Sequence, residues 1–528
     1  MWINYMLDRL IKNGVVVDGS GGDPLEANVG IEGDRIVYVG REEVEAGDVL
    51  DARGLIVSPG FIDSHAHSEF TILADGRAEG KVFQGVTTEI NGNCGLSAAP
   101  LLGEAAERRE QDLLELGIKE RWSAFGEYFA LVENRGIAIN FATLCGHGNV
   151  RASVVGYGDA PPGAAALSEM KRLLLEALGE GAIGLSTGLI YPPGVYSETA
   201  ELVELSKVLS SENPRGIYTS HMRSEGDALL ESIEEVVRIA RESRVKVHIS
   251  HVKTAGRHNW WKVDQAVELM NSARDEGIGL TCDRYPYVAA GTDLDTVLPS
   301  WVHEGGVEEE LRRLKDPETV ARIKSDIGLK GEDYWSSVYV SSVSRDENRW
   351  MEGANILDIS SRMKKSPVDA LIEIITDERA RAEAVFFSMS GENLRRFLAL
   401  PYVMVGSDSA VRSFTGPTCR GKPHPRGFGA FARFLGRYVR DEGLMGLAEA
   451  VRKMTSLPAA TFGLSRRGLV REGFFADIAV FDHDRITDTA TFEEPFKRPE
   501  GLVHVFVNGV PVLRDGEPTG ALPGRVLK

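Results

Sequence analysis

The sequence has few cysteines and no long apolar run. Its four cysteines among 528 residues lie far apart and form no CxxC pair. This spacing excludes a dense disulfide framework and favours a reducing compartment. No window reaches the roughly 18 apolar residues that a membrane-spanning helix requires. The opening MWINYMLDRLIKNG has Asp8 and Arg9 where a signal peptide would need an apolar run. We therefore predict a cytoplasmic protein without a membrane span.

The chain also carries fewer positively than negatively charged side chains. The chain has 60 lysines and arginines against 78 aspartates and glutamates, for a formal net charge of −18. Nucleic acids and anionic membrane surfaces would repel such a protein, so we expect neither as a partner. An anionic small molecule is not excluded, because a local cationic pocket can outweigh the overall charge. At this length the chain is too long for one simple core.

The two ends of the chain have a similar sequence pattern. Residues 10–57 contain short β-rich runs broken by Gly and Asp turns, and GLVREGFFADIAVFD and LVHVFVNGVPVLRDG repeat this style near the C-terminus. We predict that residues 1–59 and 464–528 form one β-sandwich domain. The central unit, residues 60–463, lies between its two parts.

The central unit alternates strand-like and helix-like segments. The helix-like segments include ALSEMKRLLLEALGEG and DALLESIEEVVRIARES. Eight strands alternating with helices predict an α/β fold of the (β/α)8 barrel type. The eight strand-like runs are FIDSHAH (61–67), VTTEING (86–92), IAINFATLCG (137–146), AIGLSTG (182–188), GIYTSH (216–221), VKVHISH (245–251), GLTCDRY (279–285) and YVMVGSD (402–408).

The gap between the seventh and eighth runs is too long for one helix. It contains polar, irregular text such as SSVYVSSVSRDENRW and one further strand-like run, AVFFSM. We interpret much of residues 292–350 as an insertion before the last barrel strand that could cover the mouth of the barrel.

Histidines close several of the strand-like runs. His65 and His67 end the first run, and on a strand residues i and i+2 point to one face, so both rings could reach one metal ion. His221 and His251 close two later runs, and Asp408 closes the last. The alternatives are ordinary loop histidines and, for Asp408, a helix N-cap or a turn.

Cys94 lies in a Gly/Asn turn just after the second run. The carboxyl ends of barrel strands face the active-site mouth, so its sulfur is expected on the same side as the histidines. Thiolate, imidazole and carboxylate together are the ligands of zinc sites. The pattern therefore predicts a Zn²⁺ site at the strand ends.

The sequence resembles the N-acyl-D-amino-acid deacylases (D-aminoacylases) of the amidohydrolase superfamily. The resemblance covers nearly the whole chain in family order, and it implies a metal-dependent barrel with a β-sandwich built from both termini. The matching text is SPGFIDSHAHSE, GVTTEINGNCGLS, GLSTGLIYPPG, SHMRSEGD, HISHVKTAG, DRYPY, VGSD, HPRGFGAFARFLGRY and GFFADIAVFD.

The resemblance assigns the strand-end residues to two metal positions. It assigns the tightly held zinc ion to Cys94, His221 and His251. It assigns a second, weaker or vacant metal position to His65, His67 and Asp408. Superfamily members with a carbamylated bridging lysine carry it on the fourth strand, where AIGLSTG has none, and the resemblance implies that Cys94 replaces it.

The resemblance also implies roles in catalysis and substrate binding. Asp408 would act as general base and then general acid, and Lys253, Tyr285 and Arg426 would grip the α-carboxylate of the substrate. For Lys253 and Arg426 a solvated surface charge is the alternative. The family often has a serine where this chain has Gly291, and commonly a glycine after the aspartate, where this chain has Ser409.

Two further residues are candidates for contact with substrate. Arg223 could reach a substrate anion or pair with Glu225. Tyr191 could line the side-chain pocket or pack within its Pro-Pro loop.

The leading hypothesis is a zinc hydrolase that splits N-acyl-D-amino acids into a carboxylate and a free D-amino acid. Its small-molecule partner would be an N-acylated amino acid, and the preference for the D form comes only from the resemblance. The alternatives are a related amidohydrolase acting on D-amino-acid-containing dipeptides or another amide, and a non-catalytic scaffold. The sequence carries no indication of the oligomeric state.

Overall fold

The computed structural model describes residues 6–42, 44–213, 216–328 and 330–528. Small parts of the three predicted segments, namely residues 1–5, 43, 214–215 and 329, lie outside the described residues. The strands are β1 (Leu7–Val16), β2 (Leu25–Glu32), β3 (Arg35–Gly40), β4 (Ala46–Asp51), β5 (Ile56–Pro59), β6 (Phe61–Asp63), β7 (Val86–Asn91), β8 (Asn140–Thr143), β9 (Cys145–Gly146), β10 (Gly184–Gly188), β11 (Ile217–His221), β12 (Lys246–Ile249), β13 (Leu280–Arg284), β14 (Ala290–Asp293), β15 (Val338–Ser342), β16 (Glu383–Phe386), β17 (Val403–Val405), β18 (Ile478–Phe481), β19 (Leu502–Val507), β20 (Val510–Arg514) and β21 (Glu517–Pro518).

Helices occupy most of the connections between these strands. The α-helices are α1 (Thr71–Ala74), α2 (Glu79–Val82), α3 (Gly103–Glu115), α4 (Phe125–Arg135), α5 (His147–Val154), α6 (Ala164–Glu180), α7 (Thr199–Glu212), α8 (Leu229–Ser243), α9 (Val263–Asp275), α10 (Val307–Arg313), α11 (Pro317–Ile327), α12 (Glu332–Trp335), α13 (Ile356–Met363), α14 (Pro367–Asp377), α15 (Gly391–Ala399), α16 (Arg426–Arg433), α17 (Leu447–Met454) and α18 (Ser456–Thr461). Among the described residues, no helix has the length and apolar character needed to cross a bilayer.

Both ends of the chain contribute to one β-rich unit. Its nine-stranded sheet has the order β21-β20-β19-β18-β5-β1-β2-β3, with β4 pairing beside β1. The two ends meet where β5 pairs antiparallel with β18, from Ile56 opposite Phe481 to Pro59 opposite Ile478. Its core is aliphatic, with Ile11, Val29 and other fully buried side chains. This confirms the predicted β-rich unit assembled from both termini.

Parallel strands form the barrel between the two ends of the chain. The pairing runs β6-β7-β8 and then β9-β10-β11-β12-β13-β17, and only Leu144 separates β8 from β9. A parallel bridge between Ala66 and Ser409 and a 2.8 Å bond from Asp408 N to His65 O join β17 back to β6. All eight strand-like runs therefore lie in one α/β barrel, as predicted.

The barrel strands read as apolar runs because they are buried on both faces. Parallel strands covered by helices lose their contact with water, so alternation of polar residues is not needed. All residues of β7, β10, β11 and β17 are buried. The barrel interior away from the mouth is filled by Ile62, Ile90, Leu144 and Met404, together with neighbours from other strands.

The long connection between β13 and β17 has a small sheet of its own. Strand β16 lies between β14 and β15 and pairs antiparallel with both. Helices α10 to α14 surround this sheet, and a separate apolar cluster that includes Leu294, Trp335 and Ile375 fills the space between them. The boundaries assigned to the insertion and to the three segments stay a prediction.

Candidate metal centre

The strand ends of the barrel bring the predicted site residues to one mouth. Most of them lie at or within three residues of the end of a strand, whereas His67 and Lys253 lie four residues beyond one and Arg426 begins α16. A cavity of about 1330 Å³ opens there, and fully buried His65 lies beneath it. The predicted residues that line the cavity are His67, Cys94, Tyr191, His221, His251, Lys253, Tyr285, Asp408 and Arg426.

Sulfur, nitrogen and oxygen donors converge at the centre of the mouth. Cys94 Sγ lies 3.3 Å from His65 Nε2 and 3.4 Å from His251 Nε2. Asp408 Oδ1 lies 3.5 Å from His65 Nε2 and 3.2 Å from His67 Nε2. One donor atom from each of His65, Cys94, His251 and Asp408 falls within 4.8 Å of the others. Cys94 thus borders both predicted metal positions.

His221 is buried, yet its ring has no hydrogen-bond partner among the described residues. Both Nδ1 and Nε2 lack one, although the ring centroid lies 4.4 Å from that of His251. Buried polar groups in proteins are nearly always satisfied, so an orphaned imidazole in a donor cluster requires an explanation. A metal ion coordinated by the ring would provide the missing partner.

The local charges hold the cysteine and the aspartate ionised. Burial alone raises the pKa of Cys94, but His65 and His251 outweigh it and hold the pKa well below its ordinary value. Burial likewise raises the pKa of Asp408, and Arg426 and His251 overcome it, so that this pKa also lies well below normal. An ionised thiol and an ionised carboxyl thus lie beside several histidine rings, and these three side-chain types form the ligand set of zinc sites.

Asp283 supports two of the metal-ligand candidates and was not singled out from the sequence. Its Oδ2 lies 2.9 Å from His65 Nδ1 and 2.8 Å from His248 Nε2, and its Oδ1 accepts a 2.9 Å bond from the backbone N–H of His251. A carboxylate behind a histidine fixes the ring orientation and its tautomer. The available signal was an acidic residue inside the apolar run of β13.

Glu225 is a second supporting residue that was not assigned a site role. Its Oε1 lies 2.7 Å from His251 Nδ1 and also pairs with Lys253 Nζ. Burial opposes ionisation of Glu225, but Lys253 and His251 outweigh it and lower its pKa. The signal in the sequence was its position four residues after His221.

Lys253, Tyr285 and Arg426 meet beside the donor cluster. The Arg426 guanidinium lies 4.6 Å from the centroid of the Tyr285 ring, and Lys253 Nζ lies 5.8 Å from it. Arg426 Nη1 is 2.8 Å from Asp408 Oδ2, and Nη2 donates to the carbonyl oxygen of Gly291 at 3.1 Å. The Tyr285 hydroxyl is buried and finds no hydrogen-bond partner in the described part of the chain. Two cations and a free phenol thus border the same cavity.

The two remaining candidates behave differently. Tyr191 lines the cavity, with its ring 5.0 Å from that of His221 and its hydroxyl 2.9 Å from Thr292 Oγ1. Arg223 is not among the described residues that line it. Its Nε donates to Glu235 Oε2 at 2.8 Å, and its terminal nitrogens donate to backbone carbonyls on the side of α7. The Glu225 pairing offered as its alternative does not form, because Glu225 pairs with Lys253 and His251.

Comparison with known proteins identifies the family. The sequence model described as "Amidohydrolase family" matches residues 48–295 and 361–513. The chain belongs to the amidohydrolase family. The two matched stretches omit residues 296–360, which lie within the long connection between β13 and β17.

Several relatives match this amidohydrolase along nearly its whole length. It is 35% identical to a D-aminoacylase of Alcaligenes xylosoxydans xylosoxydans over 98% of this chain and 97% of that protein. It is also 35% identical to an N-acyl-D-glutamate deacylase from the same organism, over 99% and 96% of the two chains. These matches confirm the predicted resemblance to the N-acyl-D-amino-acid deacylases, and the protein is an enzyme of this group.

Solved structures agree with the sequence relatives. An N-acyl-D-glutamate deacylase from Bordetella bronchiseptica, in complex with zinc and a phosphonate mimic of the tetrahedral intermediate, has a TM-score of 0.85 at 32% identity. That match covers 99% of this chain and 100% of the other. A D-aminoacylase described as having a binuclear metal centre has a TM-score of 0.83 at 34% identity, with the same coverage. The amidohydrolase barrel with its separate β-rich domain is thereby confirmed.

Proposed function

We propose that this amidohydrolase cleaves the amide bond of N-acyl-D-amino acids and releases a carboxylate and a free D-amino acid. The observation that carries the proposal is the position of the cationic group Lys253, Tyr285 and Arg426 beside the donor cluster, in one cavity. A substrate with a carboxylate next to its scissile amide would fit both halves of such a site.

We assign a tightly held Zn²⁺ to Cys94, His221 and His251, and a second, weaker position to His65, His67 and Asp408. The orphaned ring nitrogens of His221 and the ionised state of Cys94 support this assignment. Zinc bound there would polarise the amide carbonyl and lower the pKa of water toward about 7. Asp283 and Glu225 would orient the rings of His65 and His251 from behind.

Asp408 is the proton carrier in this scheme. Its carboxylate faces the cavity between His67 and Arg426, and its depressed pKa keeps it ionised at neutral pH. It takes a proton from the attacking water and then delivers that proton to the leaving amine nitrogen. The salt bridge to Arg426 holds the carboxylate in place between these two transfers.

Arg426 and Lys253 would bind the α-carboxylate of the substrate. Arginine can grip a carboxylate through two parallel hydrogen bonds, and the free hydroxyl of Tyr285 supplies a further donor. The small-molecule partner is thus an N-acylated amino acid, and the cytoplasmic location predicted from the sequence stays part of the proposal.

The decisive experiment compares hydrolysis of paired N-acetyl-D- and N-acetyl-L-amino acids by the zinc-loaded protein. The panel contains acidic, apolar and polar side chains, because the relatives include deacylases named for D-glutamate. We expect turnover of the D series only. Asp408→Asn is expected to lower kcat by at least about 100-fold with zinc still bound, because it removes the general base.

Two results would contradict the proposal. Hydrolysis confined to the L series would exclude the assigned stereochemistry. If neither series is hydrolysed while zinc is bound, N-acyl amino acids are not the substrates, and D-amino-acid-containing dipeptides or other amides take their place as candidates.

A further inference from the structure

A second group of possible metal ligands lies within the connection between β13 and β17. Asp295, His303 and Glu310 each offer a donor atom, and these atoms lie within 4.8 Å of one another. The three come from successive short segments: a 3-10 helix at Leu294–Val297, another at Ser300–His303, and α10. All three residues line the same large cavity as the strand-end site, and none belongs to that site.

Glu310 is the unusual member of this group. Its side chain is 3% exposed, with Oε2 lying 2.9 Å from His303 Nδ1. Its other oxygen, Oε1, is buried and has no hydrogen-bond partner among the residues that the structure describes. A buried carboxylate oxygen without a partner carries a substantial desolvation cost. A cation in the group would supply that partner.

Negative charge is also in excess around the group. The carboxyl groups of Asp293 and Glu310 lie near that of Asp295, and all three residues line the cavity. His303 can compensate one of these charges as an ion pair with Glu310, and Arg108 contributes at longer range. Three carboxylates against these cations leave the group suited to a divalent ion.

We propose that Asp295, His303 and Glu310 bind a divalent transition-metal ion, separate from the strand-end centre. One imidazole and two carboxylates form a mixed nitrogen and oxygen donor set that suits Zn²⁺ or Mn²⁺. The bound ion ties three consecutive segments of the connection together, and its binding does not depend on the deacylase activity.

The contacts of this segment indicate what the ion would stabilise. Gly305 N donates to Tyr157 O at 3.1 Å, and Tyr196 Oη donates to Ser300 O at 3.1 Å. Tyr157 follows α5, and Tyr196 ends a short 3-10 helix after β10. An ion bound by residues 295, 303 and 310 therefore fixes the part of the connection that rests on the loops of the barrel mouth.

The test counts bound metal in the full-length protein after equilibrium dialysis against Zn²⁺ or, separately, Mn²⁺. The variants are Glu310→Gln, which keeps the shape but removes the charge, and His303→Gln, which removes the ring. Glu309→Gln is the matched control, because Glu309 lies next to Glu310 on α10 but is half-exposed and pairs with Arg312 at 2.9 Å. Zinc retained by the strand-end centre reports that each variant is folded.

We expect the unmodified protein and Glu309→Gln to bind one more ion per chain than the two ligand variants. Loss of a ligand should weaken that additional ion by more than about 100-fold. The same protein should resist proteolysis between residues 294 and 310 only when this ion is bound. Equal metal content in all four proteins with both metals would overturn the proposal and leave His303 and Glu310 as an ion pair only.

Discussion

Cys94, His251 and Asp408 share an uncommon backbone conformation. Their φ angles are 52°, 34° and 51°, in the left-handed region that side chains with a Cβ rarely occupy. Each such residue costs roughly 1–2 kcal/mol relative to ordinary backbone. Left-handed residues tend to collect at functional sites, where the rest of the fold holds them. Here they turn the chain sharply after a strand and bring a sulfur, a ring and a carboxylate together.

Cys94→Ala tests the first of these residues. We expect the variant to fold, because alanine occupies less space at this half-buried turn, and to lose the tight zinc ion. Removal of the thiolate should weaken zinc binding by more than about 100-fold, as judged by competition with a chelator. Cys419→Ala is the control, since Cys419 is also a half-buried free cysteine but has no place in the donor group. Unchanged zinc retention in Cys94→Ala would remove Cys94 from the ligand set.

The site residues were predictable where each one closes an apolar run. His221, His251 and Asp408 could be singled out because a polar residue directly after a buried strand marks the mouth of a barrel. Asp283 could not, because its role depends on contacts with His65 and His248 on other strands. The pairing of Arg223 with Glu235 could not be foreseen either, because Glu235 comes from the following helix, α8, and sequence spacing does not show which way the side chain turns.

At the scale of elements, β14 connects the insertion with the substrate pocket. It pairs with β16, about ninety residues later in the chain, and this long-range pairing leaves no local pattern in the sequence. The barrel strands could be predicted because they lie in buried apolar runs, whereas no residue of β14 is buried. Its residues nevertheless contact two site residues. The carbonyl oxygen of Gly291 accepts a hydrogen bond from Arg426, and the hydroxyl of Thr292 is hydrogen-bonded to that of Tyr191.

Gly291→Ser tests the contribution of β14 to substrate binding. A Cβ at this position would lie 3.5 Å from Arg426 Nη2 and 3.6 Å from His424 Cβ, which are ordinary contacts, so serine should fit. Its hydroxyl would add a hydrogen-bonding group beside the proposed carboxylate clamp, worth about 0.5–1.5 kcal/mol. We expect KM for N-acyl amino acids to fall by about 2–10-fold with little change in kcat. Gly291→Ala adds the carbon without the hydroxyl, and equal KM values in the two variants would exclude a hydroxyl contact.

At the scale of the whole molecule, a buried polar network joins the barrel to the β-rich domain. Asp477, which precedes β18, accepts a 2.8 Å bond from Asn508 N and pairs with Arg467. Asn508 Nδ2 donates at 2.8 Å to Asn140 Oδ1 on barrel strand β8 and to Pro523 O in the C-terminal segment. These contacts fasten the C-terminal part of the β-rich domain and the C-terminal segment to the start of β8, at the end of the barrel opposite the metal centre.

Arg467→Met tests how far this network stabilises the protein. The change keeps much of the apolar volume but leaves the buried Asp477 carboxylate without its cation, and we expect a loss of about 3–5 kcal/mol in the free energy of unfolding. Arg514→Met is the control, because Arg514 makes a two-bond ion pair with Asp48 at 3.0 Å on the surface, where such pairs contribute less than about 1 kcal/mol. Urea denaturation of the zinc-loaded proteins measures both.

Since the network lies far from the mouth, the folded Arg467→Met protein should keep its zinc and its KM. An equal loss in the two variants would show that the surface pair and the buried network stabilise the protein alike. A changed KM with normal stability would show that a change in the attachment of the β-rich domain alters substrate binding at the barrel mouth.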